Sequence, residues 1–190
     1  MSPRQGLDQQ TILQAAAEIA DERGLQEVTM ALLSQKLGVR SPSLYNHVES
    51  LSGLRFKLTL HGLKCLNEKM LRSAFGRSGD DAVFACAKAY IEFAREHPGL
   101  YEATLASQIH TDDPEWKALS NELVQQLIEL LRAYDLEYEE AIHLVRGLRS
   151  ILHGFASLER AGGFGMPIHL DDSINRVLSV YLRGIHVDKK

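Results

Sequence analysis

Between residues 41 and 47 the chain arranges Ser41, Pro42, Ser43, Tyr45, Asn46 and His47 around a single leucine, Leu44. If Leu44 and Val48 turn inward at i and i+4, the other six share the outer face of a short helix. Short polar side chains at a helix start can approach base edges in a major groove, and hydroxyls and ring nitrogens can bind phosphate oxygens. Pro42 adds an apolar surface able to meet a thymine methyl. Charge points the same way. From Val28 to Lys64 five basic residues (Lys36, Arg40, Arg55, Lys57, Lys64) accompany one acidic residue, Glu49, in a chain whose formal net charge is −4. A basic segment inside an acidic chain is the pattern expected beside a polyanion.

Such a helix needs a frame. Residues Asp8 to Arg23 place Ile12, Ala15, Ala16, Ile19 and Ala20 on one stripe before Gly24 stops the helix. Thr29 reads as the N-cap of a short helix, Met30 to Leu37, ended by Gly38. Ser41 and Pro42 read as the N-cap and first position of the next, reaching about Val48. Two short helices, a glycine turn, and Leu33, Leu37, Val39, Leu44 and Val48 to lock them make a helix-turn-helix. The competing reading is a plain helical hairpin in a bundle, which gives no account of Tyr45 and His47 facing outward beside basic residues.

The remaining periodicity is also helical. A long helix follows Ser50 and fades in the Gly76–Asp80 turn; others run from Asp80 or Asp81 to Glu96, from Leu100 to Gln108, from Asp113-Pro114 to about Tyr134, from Tyr138 to about Ala161, and from Asp171-Asp172 onward. No period-2 strand or internal repeat stands out. The expectation is an all-α protein of about nine helices, with a helix-turn-helix domain at residues 1–53 and a larger ligand-binding and dimerisation domain at 54–190, bridged by the helix from Ser50.

The first sixty or so residues resemble the N-terminal domain of the tetracycline-repressor (TetR) family of bacterial transcription regulators. The resemblance is carried by Ile12, Ala16, Ile19 and Ala20, by Gly24, by Val28-Thr29-Met30, by Gly38-Val39, and by Leu44-Tyr45-Asn46-His47-Val48 followed by Leu54. It implies a homodimeric repressor that binds a palindromic double-stranded operator and is released by a small-molecule inducer. Carried over position by position, it makes Thr29, Tyr45 and His47 phosphate contacts and Ser41, Pro42, Ser43 and Asn46 base readers, with Arg40 a phosphate or base contact and Arg4 an arm reaching the backbone. The family's lysine at the start of the fourth helix is replaced by Leu51, leaving Arg55 or Lys57 to supply that contact. Farther on, His97-Pro98-Gly99-Leu100-Tyr101, Ile151-Leu152-His153-Gly154-Phe155 with Leu158-Glu159, and the Gly-Phe segment before the last helix resemble the subgroup with a Trp-His-Gly signature, here with Leu152 in the first place.

The last helix repeats apolar residues at 174, 177, 178, 181, 182 and 185, a stripe wide enough for a bundle face. Paired with its neighbour in two subunits, it would form a four-helix dimer interface. Operator geometry favours such a dimer, since one short recognition helix gives little affinity and two lie about 34–36 Å apart to meet successive major grooves. Candidate ligand contacts are the amphipathic side chains Tyr90, Phe93, Tyr101, His110, Trp116, Arg149 and His153. No cofactor, metal site or enzymatic constellation is expected. No two of the eight histidines are three or four apart, Gly162-Gly163-Phe164-Gly165 meets no strand, and Cys65 and Cys86 are apolar-flanked. With no signal peptide and no run of eighteen apolar residues, a cytoplasmic location away from the membrane is expected. The alternative is a helical interaction module or enzyme that retains the hairpin without binding DNA.

Overall fold

The structure is a computed structural model that describes residues 7–105 and 112–187. Arg4, His110 and the end of the helix expected to reach Gln108 lie outside the described residues. Within them the chain is all helical: α1 (Gln9–Arg23), α2 (Met30–Leu37), α3 (Ser41–Tyr45), α4 (Leu51–Ala74), α5 (Gly79–Glu96), α6 (Pro98–Leu105), α7 (Pro114–Leu130), α8 (Tyr138–Arg160) and α9 (Leu170–Val187), with 3₁₀ turns at Leu25–Glu27 and Arg132–Tyr134. No described helix is long and apolar enough to cross a membrane.

Local chemistry sets these boundaries. The Asp8 carboxylate caps α1 by accepting from the Thr11 N–H at 2.7 Å, and Gly24, at φ 100°, ends it. Glu137 and Glu140 form a reciprocal capping box at the start of α8. α7 stops short of the expected Tyr134: its helix closes at Leu130, and a 3₁₀ turn carries the chain to Asp135 in the left-handed region.

The chain forms two compact units. The first comprises residues 1–65 and 96–117, the second 66–95 and 118–190. In the first, α1 packs on α2 and on α6, and Ile12, Ala16, Ile19, Ala20, Val28, Leu33, Leu44, Leu54 and Leu58 are fully buried. In the second, Val83 of α5, Leu131 and Tyr134, Leu144 of α8 and Leu182 of α9 make a common apolar cluster. The Tyr181 hydroxyl of α9 donates to the Leu144 carbonyl of α8 at 3.1 Å. Arg95 ties the ends of three helices of this unit together, chelating Glu159 at 3.0 Å and Asp171 at 2.6 Å.

Candidate nucleic-acid interface

The α2–α3 pair is built almost wholly from short-range chemistry. Thr29 caps α2 by accepting from the Leu32 N–H at 3.3 Å. Gly38 sits at φ 66°, ψ 29°, and its N–H bonds to Gln35 O while Val39 N–H reaches Ser34 O at 3.1 Å. The chain thus reverses in a left-handed turn that suits glycine. Leu33 and Leu44, both without solvent exposure, and Val48 at 3% then lock α3 against the rest of the unit.

Across the turn the buried Ser34 hydroxyl meets Ser41 Oγ at 2.8 Å and also lies 2.6 Å from the Met30 carbonyl. A hydroxyl has one proton, and the Met30 carbonyl can only accept, so Ser34 donates to Met30 and Ser41 donates to Ser34. This departs from the expected cap. Arg40, not Ser41, occupies the N-cap of α3 and makes no side-chain cap bond, because the Ser41 hydroxyl is turned towards α2. α3 also ends at Tyr45 rather than near Val48: the Leu44 carbonyl accepts from both His47 N–H and Val48 N–H, closing a turn over 46–47.

What remains outward is a compact polar face. Arg40, Pro42, Asn46 and His47 are exposed, Tyr45 is 55% exposed, and Ser41 and Ser43 are half-buried. Thr29 is also exposed, at the head of α2. Its oxygen accepts the capping N–H, so its proton is still available to donate. The main-chain carbonyl of His47 accepts from Gln9 Nε2 at 3.2 Å, tying the end of this face to the first turn of α1.

At the head of α4, Ser50 Oγ accepts from Gly53 N–H at 3.0 Å, and Leu51 is half-buried. The two candidate cations there behave differently. Arg55 Nη2 donates to the carbonyls of Gln26 and Val28, at 3.3 and 3.4 Å, and its Nε is buried. It braces the segment that enters α2. Lys57 carries no ion pair or side-chain hydrogen bond among the described residues.

The candidate ligand residues divide between the two units. Tyr101 and Trp116 belong to the first; Tyr90, Phe93, Arg149 and His153 belong to the second. Tyr90, Phe93 and Tyr101 are buried, His153 and Trp116 are half-buried, and Arg149 is exposed. The Trp116 Nε1 is buried without a hydrogen-bond acceptor among the described residues. None of them lines the open cleft of about 520 Å³ in the second unit, whose walls include Leu71, Phe75, Gln126 and Leu130. The residue that sequence reading passed over is Asn67. It is buried at 6% exposure, donates through Nδ2 to Gln126 Oε1, and keeps a buried Oδ1 without a donor among the described residues. Its signal was positional: Asn67 falls on the Leu63, Leu66 and Met70 stripe of α4, where a polar residue is out of place.

The described residues hold no group of three or more His, Cys, Asp or Glu that could bind a metal. Burial pushes the Cys86 thiol up to about 11, so it stays protonated at neutral pH.

Comparison with known proteins agrees with this architecture. Residues 12–50 match the model of bacterial regulatory proteins of the tetR family, and residues 83–181 match the tetracyclin repressor-like C-terminal domain. The chain is 41% identical over 191 residues to the uncharacterized HTH-type transcriptional regulator YobS of Bacillus subtilis, covering 100% of this chain and 98% of that one. It is 35% identical over 156 residues to the HTH-type regulator Rv0681 of Mycobacterium tuberculosis, covering 82% of this chain and 72% of that one. A solved protein of unknown function from Rhodococcus sp. RHA1 shares the fold at a TM-score of 0.80 and 18% identity, over 97% of this chain and 98% of that one. On these matches and on its helix-turn-helix, the chain belongs to the TetR family of helix-turn-helix transcriptional regulators.

Proposed function

We propose that the protein is a cytoplasmic repressor that binds a palindromic operator as a homodimer and releases it when a small molecule occupies its C-terminal part. In this reading residues 1–53 form the DNA-binding domain, residues 54–190 sense the ligand and dimerise, and no catalytic step is involved. The observation that carries the proposal is the outward face of α3, held by internal bonds and lined by Arg40, Pro42, Ser43, Tyr45, Asn46 and His47.

Thr29, Tyr45 and His47 set the register through phosphates, and Pro42, Ser43 and Asn46 read bases. Ser41 has its proton on Ser34, so it reads only by accepting, from an adenine or cytosine amino group. Of the two cations at α4, Arg55 is engaged with carbonyls, which favours Lys57 for the phosphate contact. Dimerisation falls to α8 and α9. Along the α9 stripe Ile174, Leu178 and Leu182 are buried within the chain, while Val177, at 39%, stays exposed for a partner, with Val180 exposed beside the stripe at 57%. The inducer sits in the second unit, whose open cleft is walled in part by Leu71, Phe75, Gln126 and Leu130. Residues 152–154, Leu-His-Gly, stand as this chain's form of the Trp-His-Gly signature.

The test is a salt titration against a duplex selected by the protein from a randomised oligonucleotide pool. Log affinity should fall linearly with log salt, and Tyr45→Phe or His47→Ala should weaken binding on every duplex alike. Ser43→Ala should instead alter sequence preference. A protein that selects no duplex in dilute buffer overturns the proposal.

A further inference from the structure

The run His97-Pro98-Gly99-Leu100-Tyr101 takes no part in the α3 face, yet it forms a closely built corner of the first unit. Asp21, in the last turn of α1, places its carboxylate on the first turn of α6. Its Oδ1 accepts from Gly99 N–H at 2.9 Å and Leu100 N–H at 2.8 Å, and its Oδ2 lies 2.9 Å from His97 Nδ1. The approach is so near that a Cβ at Gly99 would stand 1.9 Å from the Ala20 carbonyl oxygen. α6 meets α4 in a similar way. A Cβ at Gly62 would lie 2.9 Å from the Leu100 carbonyl oxygen, and the Thr59 hydroxyl donates to the Ala103 carbonyl at 2.9 Å.

α1 is also the helix that grips both α2 and the end of α3. Glu18 and Glu22 pair with Lys36 of α2 at 3.0 and 3.5 Å, and Gln9 holds the His47 carbonyl after α3. Asp21 is therefore the neighbour of a residue that grips α2, on a helix whose other end grips the close of α3. The chain passes from the second compact unit into the first between Arg95 and Glu96, one residue ahead of His97.

We propose that Asp21 and Gly99 are positioning residues for DNA binding: they key α6 to α1, and α1 in turn holds α3 in its DNA-competent pose. This rests on the reading of α3 as the DNA-contacting helix. Unseating α6 lowers the fraction of molecules in that pose, and apparent affinity falls by the same fraction. No phosphate contact is removed, so the salt dependence stays as it was.

The experiment compares wild-type protein with Asp21→Ala, Asp21→Asn and Gly99→Ala, using a duplex that the wild type selects from a randomised pool. Asp21→Ala should weaken binding about tenfold, the equivalent of one charge-assisted hydrogen bond lost from the competent state, with the salt slope unchanged. Asp21→Asn keeps an oxygen acceptor and should lose less. Gly99→Ala, which forces backbone apart, should lose most. Hydrogen exchange supplies a readout independent of DNA: in Asp21→Asn, faster exchange at Gly99 and Leu100 should be accompanied by faster exchange across 42–48. Opening at Gly99 and Leu100 with unchanged exchange in α3 overturns the proposal, as does wild-type affinity in Asp21→Ala. If the wild type selects no duplex, the DNA reading itself falls, and the exchange coupling alone decides whether α6 and α3 are linked.

Discussion

Two cations one turn into α4 look interchangeable in sequence, and the structure separates them in a way that can be measured. Arg55 donates to two backbone carbonyls at 3.3 and 3.4 Å and is half-buried. Hydrogen bonds to charged groups contribute about 1.5–3 kcal/mol each when well made. Here both are long and share one nitrogen, so Arg55→Ala should cost about 2 kcal/mol of stability, part of it from the packed aliphatic stem. Lys57→Ala removes no such bond and should stay within about 0.5 kcal/mol. Salt dependence reverses the order. Each phosphate contact contributes about 0.9 to the slope of log affinity against log salt, and a two-fold dimer loses two contacts per substitution. Lys57→Ala should therefore flatten the slope by about 1.8, and Arg55→Ala should leave it unchanged. Urea denaturation and a salt titration on one duplex settle both halves. An Arg55→Ala protein with an unmoved urea midpoint and a slope flattened by about 1.8 would show that the guanidinium sits on a phosphate, and the assignment would be wrong.

Three further outcomes follow from particular contacts. Thr29→Val removes the acceptor for Leu32 N–H and should destabilise the protein by about 1 kcal/mol in urea, whereas Thr29→Ser should not; equal losses would dismiss the cap. The Arg95 guanidinium holds the Asp171 carboxyl below the usual carboxylate range. Its folded pKa is thus depressed, and the stability it contributes is present above about pH 4 and lost as pH falls through the folded value. Both side chains are partly exposed, so Asp171→Asn should cost less than about 1 kcal/mol at pH 7, and the gap from wild type should close in acid; a gap that widens there contradicts the pairing. A Cβ at Gly147 would lie 2.0 Å from the Tyr181 hydroxyl oxygen. Gly147→Ala should accordingly cost about 1–3 kcal/mol in thermal or urea unfolding, with Tyr181→Phe in the same background recovering part of it, and an unchanged melting curve would refute the packing.

The helices were legible because their ends are written locally. Thr29 and Gly38 bracket α2 where the periodicity puts it, and the 76–80 turn carries Gly76 and Gly79 in the left-handed region. The roles of polar side chains were not. Ser41 before Pro42 looks like an N-cap, but its proton goes to Ser34, seven residues back and across a turn, and no local pattern announces such a partner. Arg55 and Lys57 have the same charge and nearly the same position, and only the placement of the carbonyls of Gln26 and Val28 tells them apart. In α9 the periodicity gave a face; which residues of that face are covered by the chain's own core depends on neighbours far off in sequence. Tyr90, Phe93 and Tyr101, chosen as amphipathic ligand contacts, are buried as aromatic residues commonly are. Asn67 was hidden by its charged neighbours Glu68 and Lys69, although its helical register marked it.

The charge of the basic segment also changes meaning once its partners are known. Lys36 is paired with Glu18 and Glu22, Lys64 lies 3.6 Å from Glu115, and Arg55 faces carbonyls. Of the five cations between Val28 and Lys64, Arg40 and Lys57 remain without an ion pair or side-chain hydrogen bond among the described residues. The acidic excess elsewhere is of little consequence beyond the Debye length of about 8 Å, but two cations per chain give a modest electrostatic grip. On the proposed contacts, the rest comes from the hydroxyls of Thr29 and Tyr45 and from the His47 ring. A neutral donor gains little from long-range attraction and depends on being held in place before the ligand arrives. That requirement explains why so short a helix is tied down at so many points: the left-handed turn at Gly38, the Ser34–Ser41 pair, the Arg55 brace and the Gln9 bond to the His47 carbonyl. In this reading stiffness of the frame takes the place of charge, and substitutions that loosen it should weaken DNA binding without touching a single contact residue.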